Sequence, residues 1–261
     1  MPAEAPKTMP LKLLELPDGV AEILEKEGIK DLYPPQAKAA PIALQGKNLF
    51  LAVPTASGKS LVAYLAALRM VLTKGRKVLY MVPLRALASE KTEELKRFEI
   101  LGLRVGVSVG DLDTPDPDLA RYDIIVATSE KADSLLRHGS DWLNAIGLVV
   151  ADEVHLINDP GRGPTLEVTL SKFRRRDPEI QIIALSATVG NSAEVAEWLQ
   201  AEHVTSTWRP VKLKEGVYYD ERVQFTDNTV KKLHQEEDPI WTLVKDGLAD
   251  GGQCLIFVNT R

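Results

Sequence analysis

The chain holds 261 residues, 44% of them hydrophobic, with 32 Lys and Arg against 37 Asp and Glu for a net charge of −5. A chain of that length buries about 70–75% of the surface its unfolded form exposes, which excludes a disordered polymer and leaves one large domain or two modest ones. The acidic balance does not advertise nucleic-acid binding, because backbone affinity comes from Lys and Arg neutralising phosphates, although a cleft can be basic whatever the total.

In chain order, the N-terminal stretch MPAEAPKTMP lacks the apolar core of a signal peptide. A first apolar run at 48–53 is followed by Leu61, Leu65, Leu68 and Leu72 on one helical face. This longest apolar stretch is broken by Arg69 and is too short to span a bilayer. The run at 77–82 precedes a helix on which Leu84, Leu87, Leu95, Phe98 and Leu101 nearly share a face, and both leucine-rich sets are expected in the core. Further runs follow at 104–109, 123–128, 147–151 and 181–186, then a helix over 191–200 that packs through Trp198 and Leu199. Continuous apolar strands alternating with amphipathic helices specify a doubly wound α/β fold whose parallel sheet is covered on both faces. After Trp208-Arg209-Pro210 the pattern changes: 211–225 alternates as an edge hairpin, 228–248 reads as a helix, and 254–258 reads as one more buried strand opening a second βα unit. The lone Cys254 has no partner for a disulfide, and no paired Cys/His spacing suits structural zinc, so a reducing, cytoplasmic setting without a membrane segment is expected.

Three strand ends carry chemistry. Val53-Pro54-Thr55-Ala56-Ser57-Gly58-Lys59-Ser60 lies between a strand and a helix and is G-x-x-x-x-G-K-[ST] except for Val53 in the place of the first glycine. Such a loop turns backbone N–H groups and a helix N-terminus toward one point, which suits phosphate. Gly58 permits close approach, Lys59 would reach the β and γ phosphates, and Ser60 would offer its hydroxyl to Mg²⁺. The second segment, Leu148-Val149-Val150-Ala151-Asp152-Glu153, ends an apolar strand in two acids. At the ligand-binding edge of a parallel sheet Asp152 could hold Mg²⁺ through water, and Glu153 could orient and deprotonate a water facing the γ-phosphate. The third, Ser186-Ala187-Thr188, is either a helix-cap region or a relay sensing Mg²⁺ and phosphate; residue chemistry alone does not separate the two. Arg174-Arg175-Arg176 falls at the end of a predicted helix, where positive charge complements the dipole.

Read in order, Tyr33-Pro34-Pro35-Gln36, the phosphate loop, Pro83-Leu84-Arg85-Ala86-Leu87, Gly110-Asp111, Ala127-Thr128-Ser129-Glu130-Lys131, Asp152-Glu153-Val154-His155, Ser186-Ala187-Thr188 and Phe257-Val258-Asn259-Thr260-Arg261 resemble the motif series of superfamily-two DEAD/DEAH-box helicases. The stretches PLRALASEK, TSEKADSLLR and NDPGRGPTLE are similar to those of the archaeal DNA helicases that act in repair at stalled forks. The resemblance implies a RecA-like P-loop NTPase domain over residues 1–209, with 210–261 as linker and start of a second RecA-like domain. It also implies ATP and Mg²⁺ as cofactors, Gln36 reading the adenine edge with Tyr33 packed nearby, and Glu153, Asp152 and Lys59 in the catalytic roles above. His155, Ser186 and Thr188 would couple hydrolysis to motion. Nucleic-acid contacts would come from Pro83, Arg85, Gly110, Asp111, Thr128 and Arg162, which fits a grip on phosphates that reads no bases. The implied protein is a monomeric ATP-dependent helicase on single-stranded or forked DNA, with further helicase domains in cis. Arginine fingers in this family come from the second domain, so the 261-residue chain alone is expected to bind nucleotide weakly, hydrolyse it very slowly and unwind nothing. An RNA helicase, or a non-motor P-loop nucleotide-binding module, is the alternative.

Overall fold

A computed structural model describes residues 8–110, 116–188, 190–233 and 238–258. Asp111 and the closing Asn259-Thr260-Arg261 lie outside the described residues. The chain divides into two compact units, Met1–Pro210 and Val211–Arg261.

In chain order the first unit comprises β1 (Met9–Pro10), α1 (Val20–Lys26), β2 (Asp31–Leu32), α2 (Pro34–Leu44), β3 (Leu49–Ala52), α3 (Lys59–Lys74), β4 (Lys77–Val82), α4 (Arg85–Lys96) and β5 (Val105–Ser108). It continues through β6 (Ile124–Thr128), α5 (Ser129–His138), β7 (Ile146–Ala151), α6 (Gly163–Arg176), β8 (Gln181–Ser186), α7 (Ser192–Trp198) and β9 (Glu202–Thr205). Strands β3 to β9 form one seven-stranded sheet in the order β5-β6-β4-β7-β8-β3-β9. Every pairing in it is parallel. The short β1 and β2 pair antiparallel apart from it.

Alternate residues of each strand supply two separate cores. Leu51, Tyr80, Val126, Val150 and Ile183 face the side that carries α3, whose Leu65 and Leu68 are fully buried against them. Phe50, Leu79, Ile125, Val149 and Ile182 face the other side, where Leu170 and Phe173 of α6 cover them. Each such aliphatic side chain taken out of water stabilises the fold by roughly 1.5–3 kcal/mol, which is why strand pattern alone foretold the sheet. Helix α3 stops at Gly75, whose φ of +63° admits the left-handed turn that returns its N–H to the Val71 carbonyl. The three arginines expected at a helix end do fill the last turn of α6.

Strand order also positions the loops. From β3 the chain runs through β4 to β5 and returns through β6 to β7 and β8, so the adjacent strands β4 and β7 send their connections in opposite directions and a crevice opens at their carboxyl ends. The phosphate loop follows β3, the Asp152-Glu153 pair follows β7, and Ser186 ends β8, so these three are neighbours. Pro83, Gly110 and Thr128 follow or end β4, β5 and β6, on the other half of the same edge.

The second unit contains β10 (Gly216–Tyr219), β11 (Arg222–Phe225), β12 (Val230–Lys232) and α8 (Pro239–Ala249). The three strands form an antiparallel sheet of their own. Two sequence expectations are corrected here. The helix expected over 228–248 begins only at Pro239, capped by the Asp238 carboxylate on the Ile240 N–H, because Asn228 at φ +64° turns 230–232 back onto β11. The buried strand expected at 254–258 is neither: Leu255, Ile256, Phe257 and Val258 are exposed, and no strand among the described residues pairs with them. In the first unit Leu84, expected in the core, is exposed just before α4, whereas Leu95 and Phe98 of that set are buried. Strand β9, which the sequence did not announce, buries only Val204 and sits at the sheet edge. No described helix is long and apolar enough to cross a membrane.

Candidate nucleotide site

The loop between β3 and α3 is held from within. The Ser57 hydroxyl donates to the Pro54 carbonyl at 2.7 Å, Ala56 takes the left-handed φ of +62°, and Gly58 follows at φ +74°. Val53 and Pro54 are buried, while Thr55, Ala56 and Gly58 are exposed, so the tip of the loop faces solvent. Val53 in place of glycine costs no strain, because it is extended apolar core whose N–H donates to the Ser186 carbonyl at 3.2 Å.

Gln36 locks onto this loop. Its Nε2 donates to the Gly58 carbonyl at 2.8 Å, and its Oε1 accepts the Tyr33 N–H at 2.8 Å. A Cβ on residue 58 would stand 2.3 Å from that Nε2 and would sit on a left-handed backbone, so any other residue would displace the Gln36 amide and strain the loop. One N–H and one lone pair of the amide remain uncommitted, a donor and an acceptor side by side. The Tyr33 ring, partly exposed, packs against Trp208 with centroids 4.7 Å apart. Trp208 was not foreseen as part of this site; a tryptophan just before the Arg209-Pro210 break was the available signal.

Lys59, Glu153, His155 and the backbone after β8 form one polar chain. Lys59 Nζ lies 2.7 Å from Glu153 Oε1, Glu153 Oε2 lies 3.2 Å from His155 Nδ1, and the Ala187 N–H points at the same Nδ1 at 3.5 Å. Glu153 adopts a left-handed φ of +52°, an uncommon conformation for glutamate, which turns its side chain back to the phosphate loop. Ser186 is buried and its hydroxyl donates to the Ala187 carbonyl, while Thr188 is exposed. The Glu153 carboxylate after β7 and the backbone N–H after β8 therefore meet at His155.

Asp152 is 8% exposed. Burial pushes its carboxyl up, with the neighbouring Glu153 charge adding and Lys59 opposing. Its Oδ1 accepts the Glu153 N–H at 2.9 Å and its Oδ2 accepts the Tyr80 hydroxyl at 3.1 Å. Tyr80 is fully buried, and burial together with the Asp152 charge holds its phenol well above the ordinary value, so it stays a donor. Beside it Tyr64 donates to Glu94, which Lys91 also reaches at 3.1 Å. Burial alone would lower the Lys91 ammonium, but Glu90 and Glu94 outweigh it and the net shift is upward. Tyr80 and Tyr64 were missed by sequence reasoning, although a tyrosine inside a continuously buried strand needs a partner for its hydroxyl.

The strand-contact candidates are less uniform. Arg85, Arg162 and Gly110 are exposed at the first turn of α4, the turn before α6 and the end of β5. Pro83 is half-buried, and Thr128 is buried with its hydroxyl accepting the Lys131 N–H as the cap of α5. The structure brings Gln36, Gly58, Lys59, Asp152, Glu153 and His155 together; Pro83, Arg85, Gly110 and Thr128 follow or end the β5-β6-β4 strands, whereas Arg162 lies between β7 and α6.

The DEAD/DEAH box helicase family profile matches residues 33–195. The chain is 49% identical over 259 residues to the ATP-dependent DNA helicase Hel308 of Methanocella arvoryzae, covering 97% of this chain and 35% of that protein. It is 50% identical over 255 residues to the Thermococcus kodakarensis protein of the same name, covering 96% of this chain and 22% of that protein. The chain thus spans about a third or less of these relatives. Among solved structures, the DUF1998 helicase MrfA bound to DNA superposes with a TM-score of 0.67 at 24% identity, over 77% of this chain and 31% of that one, a likeness of fold.

Proposed function

The chain belongs to the DEAD/DEAH box helicase family, and on that premise we propose that it is the first motor domain, residues 1–209, and the start of the second, residues 210–261, of a longer ATP-dependent DNA helicase. The observation that carries this is the Lys59–Glu153 contact at 2.7 Å across the ends of β3 and β7, with His155 on the other carboxylate oxygen. A lysine, a carboxylate and a helix N-terminus converging in one crevice are the parts a phosphoryl-transfer site needs.

The roles follow from the contacts. Thr55, Ala56, Ser57 and Gly58 present loop N–H groups to the phosphates, and the free donor and acceptor of Gln36 match the N7 and N6 edge of adenine. Lys59 exchanges the Glu153 carboxylate for the β and γ phosphates, which frees Glu153 Oε1 to take a proton from the attacking water. The water oxygen bonds to the γ-phosphorus as the bond to the β–γ bridging oxygen breaks, and ADP leaves. Ser60 and Asp152 supply the hard oxygen donors that suit Mg²⁺, which would neutralise charge developing on the phosphates. Ser186, Thr188 and His155 would relay the change at the γ-phosphate to the neighbouring loops. Single-stranded DNA would lie along the β5-β6-β4 half of the edge, contacting Pro83, Arg85, Gly110, Asp111 and Thr128 through its phosphates, and would reach Arg162 in the segment after β7.

The test is ATP turnover by the protein extended through its downstream domains, with and without single-stranded DNA. Turnover should rise with DNA, and Glu153→Gln should keep nucleotide binding while lowering kcat by about 10²–10⁴-fold, the range a general base supplies. Unchanged turnover in Glu153→Gln would overturn the assignment of the base, and equal stimulation by RNA would overturn the choice of DNA.

A further inference from the structure

The phosphate loop and the strand-end acids account for the groups that touch nucleotide, but not for a phenol sealed beneath them. Tyr80 lies in the middle of β4, a strand that carries none of the nucleotide motifs, and its side chain is fully buried. Its hydroxyl donates to Asp152 Oδ2 at 3.1 Å. Asp152 follows β7, the strand paired with β4, so the hydroxyl reaches it across neighbouring strands of the sheet.

We propose that Tyr80 is a positioning residue for the divalent cation of this site, fixing the Asp152 carboxylate so that its remaining lone pairs keep one orientation. This inference rests on the nucleotide-site reading above. Asp152 Oδ1 is already held by the Glu153 N–H, so the Tyr80 hydroxyl clamps the second oxygen and removes the carboxylate's last rotation. A carboxylate that rotates freely presents either oxygen to a hydrated cation, whereas one held at both oxygens presents a fixed pair of lone pairs. Outer groups that orient metal-site carboxylates typically change metal affinity by about 10–100-fold when removed. Because such a cation keeps several waters and nucleotide oxygens in its shell, the lower end of that range is expected here.

The experiment is equilibrium binding of the fluorescent nucleotide mant-ADP to the 261-residue chain, titrated with Mg²⁺ and separately with Mn²⁺ after an EDTA baseline. Tyr80→Phe keeps the ring and removes only the hydroxyl. It should weaken the apparent affinity for either cation about tenfold while leaving mant-ADP affinity in EDTA within twofold. In an Asp152→Asn background, Tyr80→Phe should add less than a twofold further loss, since the hydroxyl acts through that carboxylate. Unchanged cation affinity in Tyr80→Phe, an equal loss in EDTA as from a loosened fold, or a full tenfold loss in the Asp152→Asn background would each overturn the proposal. Absence of any cation-dependent binding by the unsubstituted chain would overturn the nucleotide-site reading and this inference with it.

Discussion

Asp152 keeps a carboxylate where only 8% of the residue is exposed, and burial has already pushed that carboxyl up. A charge kept in such a place costs stability, which natural proteins accept at functional sites. Asp152→Asn preserves shape and a hydrogen-bonding oxygen while removing the buried charge. It should therefore raise the melting temperature of the nucleotide-free chain by about 2–4 °C, the shift that roughly 1 kcal/mol produces in a chain of this size. A lowered melting temperature in differential scanning calorimetry would contradict this. At this scale Lys59, Ser60, Asp152 and Glu153 were legible in the sequence because each sits where an apolar run stops, and a strand end is visible in a pattern. Tyr80 was not, because an apolar run shows that a residue is buried without showing what its hydroxyl meets across two neighbouring strands. Gln36 lies between these cases: its place before a helix was readable, but its bond to the Gly58 carbonyl spans 22 residues that only the fold brings together.

Among the elements, α6 shows how a single backbone contact fixes a helix start. A Cβ at Gly163 would stand 2.1 Å from the Ile157 carbonyl oxygen, a backbone atom that cannot swing aside. Gly163→Ala should therefore force the first turn of α6 away from the 154–158 turn that follows Glu153, destabilising the chain by about 1–3 kcal/mol. Gly110→Ala, which meets nothing within 4 Å, should leave the melting temperature unchanged and serves as the control. Equal melting temperatures for the two variants would show that α6 does not start under this constraint. The sheet strands of the first unit were readable because both of their faces are covered, which demands continuous apolar runs. The second unit was misread for the converse reason: Val230 to Lys232 carries two lysines and gains its strand from pairing with β11 rather than from its own pattern. The 254–258 run has the composition of a buried strand, yet its side chains stand exposed.

For the molecule as a whole, the net charge of −5 carries little information, because the charges that matter are sorted by strand order. One half of the carboxyl edge, β7-β8-β3, gathers Lys59, Asp152 and Glu153, and the other half, β5-β6-β4, exposes Arg85 and Gly110 nearby. On the proposed reading, a sheet built this way would separate a site for phosphoryl transfer from a track for a phosphate backbone while carrying both on one carboxyl edge. The resemblance implied two sets of contacts, whereas the adjacency of β4 and β7 that divides the edge is a property of pairing. The account stands or falls on the nucleotide site, and the most direct measurement is equilibrium binding of mant-ATP with Mg²⁺ to the 261-residue chain and to its Lys59→Ala variant. The account predicts saturable binding by the unsubstituted chain and a loss of at least tenfold in Lys59→Ala; equal affinities would contradict it.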